Sequence, residues 1–179
     1  MYVCNMHILG PMTDDRTLNL LGALVLALAD TMKNATESRA EQGAGVPAAL
    51  ITIGFYAGES IDTLAHTLGL SHSATVRLVD RLVKAGLAVR RSGADRRTSA
   101  LYLSRRGKLR MGAILESRKR VLEQALMPLT QQEQTLLAGL LEKLLGGFTR
   151  DRQHADHICR LCDARSCPQQ TCPVECALK

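Results

Sequence analysis

The chain has 179 residues with 23 Lys or Arg against 17 Asp or Glu, a net +6; that is one domain's worth of chain, long enough to bury a core. Trp is absent and aromatic residues make up 3%, which argues against single-strand binding by base stacking. The acids are scattered, no Gly-rich phosphate loop occurs, and no Ser or Cys nucleophile sits in a recognisable motif, so nothing points to an enzyme.

The first element is an apolar run from Leu18 to Ala29, followed by a polar helical stretch to Gln42. The run is too short for a bilayer, which needs ~20 apolar residues. No basic segment precedes it, so it is not a signal peptide. It is better explained as a helix buried partly against another subunit, in a cytoplasmic protein without a membrane partner. Gly43-Ala-Gly45 suits a loop, and Pro47 begins a short helix through Tyr56.

Ser60 can cap the next helix, where Ile61, Leu64, Ala65 and Leu68 recur at helical spacing. Gly69 suits the left-handed residue that ends it. Ser71 caps a second helix with the apolar stripe Val76, Val79, Leu82 and Val83, Leu78 alongside, and Gly86 closes it. Its remaining face carries Ser73, Thr75, Arg77, Arg81 and Lys84. Two helices around a Gly-containing turn make a helix-turn-helix, whose second helix can enter the major groove. Arg77 is the best base reader, since a guanidinium donates twice to guanine; Ser73 and Thr75 suit a base or a phosphate. The competing reading is a solvated amphipathic helix in an α-bundle.

A hairpin follows. Leu87–Arg91 is a short extended run and Ser99–Leu103 alternates as a strand should. Arg90, Arg91, Arg96 and Arg97 surround its tip, as suits a wing entering the minor groove, where negative potential concentrates. Asp95 makes sense there if it aims a neighbouring guanidinium. Residues 61–110 hold eleven Lys or Arg against three Asp or Glu, a net +8 that exceeds the whole chain's. Concentrated on this segment, the charge is the footprint of a phosphate binder.

After the wing, Arg105 to Met127 forms one long helix, and Pro128 with Thr130 marks a break and restart. Gln131 to Phe148 presents Leu136, Leu137, Leu140, Leu141, Leu144 and Leu145, more apolar surface than a monomer core requires. Gly146-Gly147 loosens its end. The tail then reads Cys159-x2-Cys162-x4-Cys167-x4-Cys172-x3-Cys176. In a cytosolic protein such clustering favours metal or redox chemistry over disulfides. Four thiolates suit zinc or, alternatively, an iron–sulfur cluster; metal-free redox thiols are the remaining reading. The candidate ligands are Cys159, Cys162, Cys167 and Cys172, with Cys176 as substitute. His154 and His157 are expected to be solvated helix-end residues, and Cys4 an ordinary thiol.

The string LSHSATVRLVDRLVKAGLAVRRSGADRRTSALYLSRRG resembles the winged helix-turn-helix of the MarR family of bacterial transcriptional regulators. The matching parts are the apolar and Gly pattern through Leu82 and Gly86-Leu87, then Asp95-Arg96-Arg97, then Leu101-x-Leu103-Ser-x-x-Gly107. Ser104 replaces the family's usual Thr and can cap equally well. The likeness is strongest over residues 60–107, extends by helix order over roughly 13–149, and leaves out the cysteine tail.

The resemblance implies a mainly α fold with a small β-hairpin wing, the winged helix-turn-helix flanked by N- and C-terminal dimerisation helices. It makes Arg97 the minor-groove arginine, sets Ser73 and Arg77 on the recognition helix, and puts His72 where a polar contact is common. The candidate DNA contacts are therefore Ser71, His72, Ser73, Thr75, Arg77 and Arg81 with Arg91, Asp95, Arg96 and Arg97. The expected organisation is a dimerisation helix over 1–46, the reader over 47–107, dimerisation helices over 108–150 and the metal or redox tail over 151–179. The expected protein is a homodimeric regulator, a repressor, on a pseudo-palindromic double-stranded operator, with a small-molecule, metal or redox effector. The alternative is a metal or redox sensor whose winged domain mediates protein contacts.

Overall fold

A computed structural model describes residues 14–38, 43, 45–92 and 99–178. Asp14 opens α1 (Asp15–Glu37) by accepting from the Thr17 N–H. The helix runs along α5 (Arg105–Leu126), yet buries only Thr36. Leu18, Leu20, Leu21, Leu24, Val25 and Leu26 all stay exposed, Leu26 by 67%.

The core gathers around α2 (Val46–Phe55), in which eight successive residues, Val46 to Ile53, are buried. A helix apolar on every side has to be surrounded. Its neighbours are α3 (Ile61–Leu68), α5 and the hairpin. Leu50, Ile53, Leu64, Leu78, Leu82, Leu101 and Ile114 form the centre; each fully buried aliphatic side chain contributes ~1.5–3 kcal/mol.

Ser60 caps α3 by accepting from Thr63, and Gly69 ends it at φ 65°. Ser71 caps α4 (His72–Lys84) by accepting from Ala74. Gly86 at φ 68° lets the Leu87 N–H return to the Leu82 carbonyl, 2.8 Å away. The chain then enters β1 (Ala88–Ser92), antiparallel to β2 (Ser99–Leu103), in the register Ala88↔Leu103 to Ser92↔Ser99. Only Ala88 of β1 is buried, whereas β2 carries Ala100, Leu101 and Leu103 inward. Leu101 also exchanges backbone hydrogen bonds with the α2–α3 connection, to Gly58 and Glu59. The wing is thereby tied to the helix-turn-helix as well as to itself.

Ser104 caps α5 and also donates its hydroxyl to the Gly86 carbonyl, 2.7 Å away. Thr130 and Glu133 form a capping box that starts α6 (Gln131–Phe148). α6 runs through Gly146-Gly147 without a break and buries no residue at all. Leu136 and Phe148 are 67% and 68% exposed, and Leu140, Leu141, Leu144 and Leu145 lie open between them. Beyond it the tail folds into α7 (Arg152–Ile158) and α8 (Pro173–Cys176), with a small cluster of Ala155, Cys172 and Val174. No described helix is long and apolar enough to cross a membrane.

The stripe expected on α4 needs one correction. The buried positions are Thr75, Leu78, Val79 and Leu82; Val83 is 38% exposed and Val76 half-buried. The helix is rotated so that Thr75, at 0% exposure, faces the core. Its hydroxyl donates to the Ser71 carbonyl, 3.0 Å away, so the polar atom is satisfied inside the helix.

Candidate nucleic-acid interface

The outward face of α4 carries His72, Ser73, Arg77, Arg81 and Lys84, all exposed. They sit there because Leu78, Val79 and Leu82 hold the opposite face in the core. Ser73 and Arg77 are one helical turn apart, so both face the same way. Ser71 is also exposed, but its oxygen is engaged by the Ala74 N–H and lies 3.3 Å from the Ser73 hydroxyl. His72 Nδ1 lies 2.6 Å from Asp62 Oδ1, joining the first turns of α3 and α4. Thr75 does not belong to this face. Its burial removes it from the expected DNA contacts, because a buried residue cannot meet a base edge. Thr75→Val should therefore leave duplex affinity unchanged. It should cost only about 1 kcal/mol of stability by denaturant titration, the loss of one helix-internal hydrogen bond.

On the wing, Arg90 reaches back to Asp80 of α4 at 2.7 Å, and Arg91 stacks over the Tyr102 ring with 4.9 Å to its centre. These contacts fix two guanidinium groups on the outer half of β1, towards the tip of the hairpin, without neutralising Arg91. Asp95, Arg96 and Arg97 lie outside the described residues. Arg106 donates to the Ala85 carbonyl at the end of α4, 3.2 Å away. Neither Asp62–His72 nor Asp80–Arg90 was legible in the sequence, because each joins two elements whose relative placement only packing decides.

A second site lies behind α3. The tail packs on α2 and α3 and encloses a cavity of about 490 Å³, lined by Phe55, Tyr56, Cys159, Cys162, Cys167 and Cys172 among others. His157 is not the solvated residue expected: its Nδ1 donates to the Thr67 carbonyl at 3.0 Å, and its ring lies against Gly69 at the helix-turn-helix turn. Leu161 packs on the core of the winged domain, and Arg165 stands over the Phe55 ring. No sequence signal pointed to this docking.

Within the cavity the thiols fall into two pairs, Cys159 with Cys162 and Cys167 with Cys172. A hydrogen bond from Cys159 holds the Cys162 thiol down to about 6, with Arg118 nearby adding to the effect, while the Cys159 thiol is pushed far up. Burial raises Cys167 to about 11 and likewise raises Tyr56. Cys176 points elsewhere, donating to the Gln170 carbonyl. Among the described residues, no three His, Cys, Asp or Glu side chains are arranged to hold a metal ion.

Comparison with known proteins places this architecture. Residues 50–98 match the model of the MarR family. Similar solved structures include RV1404 from Mycobacterium tuberculosis, 23% identical over 79% of this chain and 98% of its own, with a TM-score of 0.67. YusO from Bacillus subtilis is 23% identical over 74% of this chain and 97% of its own, with a TM-score of 0.60. A "probable transcriptional regulator" from Pseudomonas aeruginosa is 29% identical over 73% of this chain and 98% of its own, with a TM-score of 0.53. No curated protein matches the chain.

Proposed function

From the premise that this chain has the MarR-family winged-helix fold, with the family's sequence pattern over residues 50–98, we propose that it is a sequence-specific regulator of transcription. It binds double-stranded DNA as a homodimer and represses by occupying its operator. The observation that carries this is the outward face of α4, where Ser73, Arg77 and Arg81 stand exposed beside an arginine-rich wing. Arg77 reads a base edge in the major groove. Arg91 and the wing residues beyond it, Arg96 and Arg97 with Asp95 to aim them, meet phosphates and the minor groove. His72, held by Asp62, positions the first turn of α4 against the backbone.

Dimerisation is supported by the open apolar faces of α1 and α6. Patches of this extent rarely stay exposed on a monomer. Two readers in one dimer then meet successive major grooves ~10 bp apart.

Selection of a duplex from a random pool, followed by footprinting, tests the reading. A pseudo-palindrome with two protected half-sites is expected, and a single half-site held by a stable monomer would sink it. Arg77→Ala should relax base preference at one position per half-site by ~1–3 kcal/mol. Affinity should also fall steeply with salt, because several phosphates are neutralised; a flat salt titration would contradict the role given to the +8 segment.

A further inference from the structure

The tail puts two thiols at the ends of a very short bridge. Cys159 closes α7, and the Cys162 N–H donates to the Cys159 carbonyl at 2.8 Å, so a single tight turn joins them. Both residues line the same cavity, both are half-buried, and neither is in a disulfide. The turn between them carries Leu161, whose side chain packs on the core of the winged domain, far earlier in the chain. Two residues before Cys159, His157 grips the Thr67 carbonyl and rests on Gly69, the residue that shapes the helix-turn-helix turn. The thiols are thus mechanically in series with the element that aims α4.

We propose that Cys159 and Cys162 form a site of reversible oxidation by hydroperoxides, and that closing their disulfide withdraws Leu161 from the reader's core and loosens the α3–α4 turn. The consequence for DNA rests on the function proposed above; the chemistry does not. One thiol of the pair, ionised, attacks a peroxide oxygen. The O–O bond breaks, a sulfenic acid forms, and the departing oxygen leaves as hydroxide, or as alkoxide from an organic peroxide. The other thiol then attacks the sulfenic sulfur. The S–O bond breaks, and the oxygen departs as water with that thiol's proton. Two thiols lose two electrons and two protons in all, and the peroxide is reduced to water, or to water and an alcohol.

A hydrogen-bonded turn of this kind keeps its end Cα atoms within about 7 Å, a separation a disulfide can bridge, and the S–S bond then fixes the torsions of the segment between them. Leu161 lies in that turn, and His157 two residues before it. Cys167 and Cys172 lack such a link: Cys167 is exposed, and Cys172 is buried in the tail's own cluster.

The full chain, purified under reductant, is treated with one equivalent of hydrogen peroxide and mapped by non-reducing peptide mass spectrometry. Affinity is read on a 30-bp duplex enriched from a random pool by the reduced protein, and amide exchange is followed over residues 61–70. An intrachain Cys159–Cys162 disulfide is expected, with affinity lower by about tenfold, within the usual range of coupling between sites. Faster exchange at Thr67–Leu70 and recovery with dithiothreitol should accompany it. Cys159→Ser and Cys162→Ser should keep their affinity after peroxide, and Cys176→Ser should respond as the wild type does. Leu161→Ala should reproduce the oxidised affinity and exchange while reduced.

A disulfide elsewhere, no disulfide, or a Cys159–Cys162 disulfide that changes neither affinity nor exchange overturns the proposal. So does a metal bound in stoichiometric amount that keeps these thiols from peroxide. Should the reduced chain enrich no duplex, the regulator reading fails by itself, and mapping with amide exchange still decides for or against the oxidation site.

Discussion

Leu140→Asp combined with Leu144→Asp should yield a folded monomer that no longer holds a two-half-site duplex. α6 buries nothing within its own chain, and both leucines are exposed there. Charging them therefore leaves the winged core, centred on Leu50, Leu78, Leu101 and Ile114, intact. In a dimer the same positions become an apolar interface, and a carboxylate desolvated there without a partner costs several kcal/mol. Losing the partner removes the second reader from the reach of the first, and linked binding sites commonly lose 10²–10⁴ in avidity when separated, so a drop of about a hundredfold is expected. Sedimentation should show the monomer, amide exchange should show an unchanged reader, and footprinting should show neither half-site protected at the wild-type concentration. A variant that sediments as the wild type does would remove α6 from the interface.

The second large effect is on stability. Gly107→Ala would put a Cβ 2.0 Å from the Leu87 carbonyl oxygen and 3.0 Å from its carbon. That carbonyl cannot swing aside: it accepts the Ser104 N–H at 3.0 Å, while the Leu87 N–H is held by Leu82 at 2.8 Å. The first turn of α5 has to lift off the base of the wing instead, breaking the Ser104 hydroxyl's bond to Gly86. A destabilisation of ~3 kcal/mol or more is expected, at the upper end for overpacking, because the obstacle is backbone. Gly112, in the same helix with nothing within 4 Å of its missing Cβ, is the control. Gly112→Ala should stabilise by up to ~1 kcal/mol through helix propensity alone. Denaturant midpoints for the pair separate the two causes. A small shift for Gly107→Ala would mean that α5 has more room at the wing than its hydrogen bonds indicate.

What the sequence determined by itself was whatever its chemistry settles within a few residues. Ser60, Ser71, Ser104 and Thr130 cap the helices they precede, because a hydroxyl three residues ahead of an unpaired N–H needs no other partner. Gly69 and Gly86 take positive φ where the helices stop, since a residue without Cβ adopts it freely. The hairpin ran within a residue of its expected strands, because alternation is a local pattern. The winged fold followed from these signals in order, together with the Asp95-Arg96-Arg97 pattern.

Tertiary structure decided the rest, and in each case the deciding partner is distant in the chain. Thr75 and Val83 border the same α4 stripe, and hydropathy alone favours Val83 for the core. The helix turned Thr75 inward because the surrounding core sets its rotation, and a threonine that bonds its own helix carbonyl costs little to bury. The cysteine spacing was plain in the sequence, but spacing does not say where sulfurs converge. Packing of the tail on α2 and α3 paired them two by two beside the reader. The Leu161 contact and the His157 bond to Thr67, 90 residues away, leave no periodic trace in the sequence, because a single side chain meeting a remote surface repeats nothing.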